Sequence, residues 1–357
     1  MTRHFSLLAA ALALAAGFAV LESPARAAPS FEGKVVSVYI SSSPGGGLDL
    51  YARTFARHIS RQLPGNPTTV PKNQPGAGGI LLANQFATTL PKDGTAVAAM
   101  TNGLYLSQLL GVKNVRYDAS KFNWIGRLAD LPLLLISWPT SRVKTAQDMF
   151  THDFAVSVTG PGSYGFLVLS AVKNILGGKL KIISGYRSGG ANRMAMEQGE
   201  VDGSASVQWT VANQRKWLTD NKVSILAQIA LTSYPELKHV PLLADLAKDD
   251  ETRRILKMFI APAEVGRGFA LPPGAPADVV ALYRDAFVRM TKDTAFLAEA
   301  KKLTLDINPL DGAALQKAVI ESGQVSESAV AKAKAAIAPP PDVVKKSSKQ
   351  KKKKKKE

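Results

Sequence analysis

Not one of the 357 residues is cysteine, which excludes disulfides and a lipid-modified N-terminal cysteine. An oxidising compartment permits disulfides without requiring them, so this absence leaves the redox environment open. Histidine is almost as scarce. His4, His58, His152 and His239 are scattered, with no H-x-x-x-H pair and no thiol partner, which removes the usual zinc sets. Acidic pairs such as Asp249-Asp250 sit in a charged stretch without a matching base, and no catalytic constellation is legible. Beyond the N-terminal stretch, no apolar run reaches the roughly 20 residues that span a bilayer. No internal repeat is present.

The two ends differ from the body. Arg3 and His4 precede an apolar run from Phe5 to Leu21, followed by Ala25-Arg26-Ala27. A charged start, a short apolar core and an A-x-A site predict a secretory signal peptide over 1–27, cut after Ala27. An uncleaved anchor would need a longer run. From Pro339-Pro340-Pro341 onward come Lys345, Lys346, Lys349 and Lys351 to Lys356. Prolines followed by like charges cannot bury a core, so 338–357 is expected to be disordered. The leader carries two of the 45 basic and one of the 28 acidic residues, the tail nine and two, so the body keeps only about +9 of the formal +17. A moderately basic body suits an anionic ligand. It is also long for a single core, which predicts two lobes.

Within the body, Val35 to Ile40 is a β-branched run that reads as a buried strand. Tyr51, Phe55 and Ile59 then recur at helical spacing, with Arg53, Arg57 and Arg61 on the opposing side as a solvated stripe and His58 as a boundary residue. Thr68 to Val70, a helix from Ile80 to Leu90 and the strand Thr95 to Met100 repeat the grammar of a parallel α/β sheet. Leu131 to Trp138 is an apolar crossing into a second lobe, which begins with Phe154 to Val158. Ser224 to Ala230 is expected as the return crossing, and Ala277 to Met290, Thr294 to Leu303 and Ala313 to Ile337 as helices closing the first lobe. The expectation is therefore one lobe from 28–132 and 241–337 and a second from 133–240.

Three glycine loops lead from strand to helix: Gly45-Gly46-Gly47, Gly76-Ala77-Gly78-Gly79 and Gly160-Pro161-Gly162. Such loops present free backbone N–H groups at the positive end of a helix dipole, and anions bind there without any charged side chain. Gly160 to Gly165 also matches G-x-G-x-x-G. A dinucleotide site wants an acidic residue about 20 positions on, where Lys179, Lys181, Ser184 and Gly185 stand instead. No glycine loop is followed by a P-loop lysine, and Pro161 occupies the glycine position that a nucleophile elbow at Ser163 would need. No cofactor is expected.

These segments resemble the periplasmic receptors of tripartite tricarboxylate transporters, the Bug-type solute receptors. Ser43-Pro44-Gly45-Gly46-Gly47-Leu48-Asp49 with Ala52-Arg53-Thr54-Phe55-Ala56 is similar to the family's P-P-G-G-G-x-D and A-R-x-x-A pattern. Asn73 to Gly79 matches N-x-P-G-A-G-G, Pro91 to Thr95 resembles P-x-D-G-x, and Tyr186 to Gly190 and Gly199 to Asp202 are similar to Y-x-G-G and G-x-V-D. The resemblance implies a type II periplasmic-binding-protein fold, two α/β lobes joined by two crossing strands with a ligand cleft between. It implies a monomer in the periplasm that captures a small organic carboxylate and hands it to integral membrane transporter subunits. By position, Gly45, Gly46, Gly47, Asp49, Gly76, Ala77, Gly78 and Gly79 would hold a carboxylate, with Asp49 capping the helix and orienting the loop. Thr101, Asn102, Ser163, Tyr164, Tyr186, Arg187 and Ser206 would read the rest. Many members carry an acidic residue just after the V-D segment that can pair with a ligand amine. Ser204-Ala205-Ser206 stands there, which argues against an amino acid. Arg187 replaces the family's loop lysine, Pro71 interrupts the second strand, and the lysine tail matches no family pattern.

Two other classes stay in view. A secreted hydrolase of small esters would need a base near Ser163. An envelope-binding protein would act through its lysine tail on anionic polymers or lipid. Nucleic acid is a poorer partner, because no aromatic-basic groove is legible.

Overall fold

A computed structural model describes residues 29–337, so the expected leader and the lysine tail lie outside the described residues. In chain order the elements are β1 (Val35–Ile40), α1 (Gly47–Ile59), β2 (Thr68–Asn73), α2 (Ile80–Thr88), β3 (Ala96–Ala99), α3 (Leu104–Leu109) and β4 (Asn123–Arg127). Then come β5 (Leu133–Ser137), β6 (Phe154–Val158), α4 (Tyr164–Asn174), β7 (Leu180–Ser184), α5 (Gly189–Glu197), β8 (Gly203–Val207), α6 (Trp209–Gln214) and β9 (Ser224–Ile229). The chain closes with α7 (Asp250–Ile260), β10 (Gly268–Leu271), α8 (Ala277–Lys292), α9 (Thr294–Lys302), β11 (Leu310–Asp311), α10 (Gly312–Glu321) and α11 (Glu327–Ile337).

Two sheets form. The first runs β11-β4-β10-β3-β1-β2 and the second β7-β6-β8-β5-β9. Each has a parallel heart, β2-β1-β3 and β7-β6-β8, as the strand-loop-helix repeats predict. Each also takes antiparallel strands: β10 against β3 and β4, and β5 against β8 and β9. The fully buried β3 and β5 explain why those runs read as unbroken apolar stretches.

Three expectations change. Ser224 to Ala230 is not the return crossing, because β9 stays in the second sheet beside β5. The two crossings are instead the neighbouring segments 128–131 and 263–267, tied by Leu128 N–H to the Arg267 carbonyl (3.1 Å), Arg267 N–H to Ala129 (2.8 Å) and Leu131 N–H to Ala263 (2.8 Å). The segment after 240 does not rejoin the first sheet at once. Ile255, Leu256 and Phe259 of α7 bury among Leu167, Val168 and Val172 of α4, and Ala333 and Ala336 of α11 join the same core. The last helix thus clamps the second lobe rather than closing the first. Finally, β2 continues through Pro71 to Asn73. It is an edge strand, where a proline's missing N–H costs no ladder bond on the open side.

The helix spacing read in α1 holds: Tyr51, Phe55 and Ile59 are all buried. The arginine stripe is solvated at Arg57 and Arg61, as expected, but its charges are paired. Arg57 and His58 both bond Glu299 of α9, the latter at 2.6 Å, and Arg61 lies 3.8 Å from Asp293. His58 is itself buried, edge-on to Phe296, because α9 covers that side of α1.

Phe55 of α1 stacks on Phe269 of β10 with ring centroids 4.1 Å apart, both fully buried. Phe269→Ala should therefore cost about 3–5 kcal/mol. Urea unfolding reads it, and a loss below about 1 kcal/mol would contradict the packing.

Candidate functional site

The first glycine loop is built around one carboxylate. Asp49, in the first turn of α1, is 4% exposed. It accepts the Gly45 N–H (2.9 Å), the Arg53 Nε–H (3.0 Å) and the Asn73 Nδ2–H (2.7 Å). Asn73 ends β2; its Nδ2 also donates to the Ser42 carbonyl (2.9 Å), and its Oδ1 accepts from Arg53 Nη2 (2.8 Å). One side chain thus ties the first loop to the root of the second. Burial works against the charge, but the bonds from Arg53, Asn73 and Gly45 outweigh it and hold the carboxyl below its ordinary value.

The second loop turns through four consecutive positive φ angles, 153°, 46°, 70° and 104° from Gly76 to Gly79. Gly78 has a second reason to be glycine: a Cβ there would lie 2.3 Å from the Ser163 nitrogen. The second loop therefore lies directly against the third, across the lobes. On the other side, the Cβ position of Gly46 lies 3.5 Å from Ser188 Cβ at the start of α5. Between these two contacts is a cavity of about 550 Å³.

Of the residues expected to bind, Gly46, Gly47, Gly76, Ala77, Gly78, Thr101, Asn102, Ser163, Tyr164, Tyr186 and Arg187 line this cavity. Gly45, Asp49 and Gly79 are not among its lining residues. Ser206 falls in β8, but its side chain lies outside the described residues. Several lining hydroxyls are already committed. Ser163 caps α4, donating to Gly160 carbonyl (2.6 Å) and accepting Phe166 N–H (3.3 Å). Tyr164 donates to the Ile260 carbonyl (2.9 Å), and burial drives its pKa up. Tyr186 donates to Glu200 (2.5 Å); burial and that carboxylate push it up to about 12. Asn102 Nδ2, by contrast, is buried with no acceptor among the described residues.

The charged side chains that line the cavity are of one sign. The first residues of α1, α4 and α5 (Gly47, Tyr164 and Gly189) all line it, bringing three helix N-termini together, with Ser163 capping α4 at the Phe166 N–H and Ser188 capping α5 at the Ala191 N–H. Among the described residues no Asp or Glu lines it, whereas Arg187, Arg193 and Arg267 do. Burial pulls Arg267 down to about 10, with Tyr51 opposing and Arg193 adding to the shift. Burial likewise lowers Arg193, helped by Arg215 and opposed by Glu197. A guanidinium keeps its charge at neutral pH even so. Among the described residues no histidine lines the cavity, and Ser163 Oγ is engaged by the Gly160 carbonyl and the Phe166 N–H. Among the described residues no cluster of three metal-ligating side chains occurs, and no helix is long and apolar enough to cross a membrane.

Sequence reasoning missed Arg193 and Arg267. For Arg267 a signal existed: a lone charge between Gly266, at φ 54°, and Gly268, at the entrance of the wholly buried β10. Arg193 in α5 reads like any helix arginine.

Two lobes hinged by two paired crossings, with glycine loops facing an electropositive cavity, define a type II periplasmic-binding-protein fold. The chain belongs to the tripartite tricarboxylate transporter family receptors, whose family model matches residues 51–334. It is 32% identical over 165 residues to the "UPF0065 protein in gbd 5'region" of Cupriavidus necator, a match spanning 46% of this chain and 48% of that one, about half its length. In fold it is similar to the periplasmic binding protein BugD (TM-score 0.65, 23% identity, 85% of this chain and 97% of that one). MatC from Rhodopseudomonas palustris, solved with bound malate, is similar as well (TM-score 0.63, 20% identity, 85% and 99%).

The depressed Asp49 pKa fixes a pH dependence. A folded value below the unfolded value of about 3.9 means the network stabilises the fold above that pH, and the contribution is lost as pH falls through the folded value. Asp49→Asn should cost about 1–3 kcal/mol at pH 7 and fall less steeply below pH about 4. Thermal midpoints from pH 7 to 2.5 test it; parallel acid limbs would contradict the assignment.

Proposed function

We propose that this protein is a periplasmic receptor that captures a small organic carboxylate between its lobes and delivers it to an ion-coupled membrane transporter. The observation that carries this reading is the cavity itself, an acid-free space onto which three helix N-termini and three arginines converge. An anion is the ligand such a lining favours, and it needs no charged side chain at the glycine loops. Gly46 and Gly47 at α1, with Ala77 and Gly78 in the second loop, hold the carboxylate on backbone N–H groups. Asp49 positions them from behind, as its bonds to Gly45 and Asn73 require. The malate in MatC supports an organic acid for a cavity of this fold.

Function follows from the hinge. A ligand that touches both lobes favours the conformation in which they meet, by its differential affinity for that state. In the described conformation the loops already touch through Gly78 and Gly46, so the bound anion would be sequestered from water. The closed face would then be what a membrane partner recognises. The protein acts as a monomer, exported by its leader.

A thermal-shift panel of mono-, di- and tricarboxylates, aromatic acids and amino acids tests the reading. A ligand at 100 times its Kd should stabilise the mature protein by about 2.7 kcal/mol. Gly78→Ala, whose Cβ would drive the second loop off the third, should keep the far-UV spectrum and lose the shift. Folded protein that no carboxylate stabilises would overturn the proposal.

A further inference from the structure

We propose that the end of the second lobe remote from the cleft is a docking surface for a membrane rich in anionic phospholipid. The proposal goes beyond the receptor reading and stands apart from it. Helix α4 fixes the place. Its first residue, Tyr164, lines the cavity, and its last turn, at Lys173 and Asn174, lies about 15 Å further along the helix. Three segments meet around that last turn. Asn174 Nδ2 donates to the Ala336 carbonyl, which sets the end of α11 on the end of α4. A Cβ at Gly111 would lie 3.8 Å from Lys334 Cε, which brings the turn after α3 alongside.

The charge these segments carry is of one sign. Residues 109–117, 173–179 and 329–337 contain no Asp or Glu, and they supply Lys113, Arg116, Lys173, Lys179, Lys332 and Lys334. Lys113, Lys179, Lys332 and Lys334 are exposed, and Lys173 is half-exposed. Lys332 pairs with Glu251 at 2.5 Å, whereas the other lysines make no ion pair among the described residues. Lys179 donates to the Thr151 carbonyl (3.1 Å), which leaves its charge uncompensated. Asp153, just before β6, and Glu327, at the start of α11, border the patch without entering it. From Ile337 the chain continues into residues 338–357, so nine further lysines are tethered to this same face.

A lipid surface fits this face better than a soluble polyanion does. The same segments carry Val112, Ile175, Leu176 and Ile337, each half-buried on the second-lobe core. Lysine stems lie along such apolar surface and extend their ammonium heads beyond it, which suits a layer of phosphates over acyl chains. A soluble polyanion would meet the charges and gain nothing from the apolar residues. Attraction to an anionic leaflet decays within a Debye length, so lysines gathered on one face count where scattered ones do not. Docked in this way, the protein holds its cavity a helix length away from the lipid and searches for a membrane partner in two dimensions.

Co-sedimentation of the full chain with phosphatidylcholine vesicles, with and without a third of phosphatidylglycerol, tests the surface. Binding should require phosphatidylglycerol and weaken as salt is raised. Lys113→Gln, Lys173→Gln and Lys334→Gln together, with the tail intact, should weaken it by about 5-fold per lysine, about 100-fold in all. The matched change on the first lobe, Lys92→Gln, Lys301→Gln and Lys302→Gln, should leave it unchanged. Unaltered melting temperatures confirm that both triple variants fold. Equal loss in the two would reduce the effect to net charge and overturn the surface. Unchanged binding in the second-lobe variant, with loss only when Lys351 to Lys356 become Gln, would leave the tail acting alone and overturn it as well. So would tight binding to heparin without binding to the vesicles. The carboxylate thermal-shift panel is read separately, and its failure leaves this result standing.

Discussion

Asp49 is an acid placed behind the two glycine loops that border the cavity, and the geometry of those loops depends on its charge being satisfied from the rear. Its oxygens are occupied by Gly45 N–H, Arg53 and Asn73, so the carboxylate adds little negative potential to the cavity and instead fixes two loops from two different strand ends. Were it unpaired, burial would favour the protonated form, the bond from Gly45 would weaken, and the first loop would lose its register against the second. The first-turn position adds to this, since the positive end of α1 also favours a carboxylate.

With that charge satisfied, the cavity is lined by helix N-termini and arginines and, among the described residues, by no acid. Helix N-termini supply partial charges that no mutation of a single side chain removes, and they act on any carboxylate. Arginines supply whole charges that discriminate between ligands. The division has a physical consequence: on the proposed reading, general acid binding would be a property of the backbone, whereas the choice of acid would reside in a few side chains. The glycines are required where the lobes touch, most sharply at Gly78, because contact between the second and third loops leaves no volume for a Cβ.

Much of this was legible before any coordinates. Tyr51, Phe55 and Ile59 announced α1 by their spacing, and the glycine loops announced where strands hand over to helices. The return crossing was misread because β9 has the composition of any buried strand; what distinguishes a crossing is pairing between 128–131 and 263–267, which local pattern does not encode. The last helix was misassigned for a related reason. Ala333 and Ala336 show a helix face, but not which of two cores that face will meet. Pro71 looked disruptive until β2 proved to be an edge. Arg193 and Arg267 stayed hidden because what brings them to one cavity is a property of three-dimensional neighbours.

The central claim is that an acid is held by loop amides and arginines in this one cavity. Nitrogen–proton correlation spectra recorded while a bound dicarboxylate is titrated in test it most directly. The account predicts that the amide signals of Gly46, Gly47, Ala77 and Gly78 move together with the Nε–H signals of Arg193 and Arg267, at one common affinity. Shifts confined instead to the outer groove between α8 and α10, around Arg284 and Ala313, would contradict it.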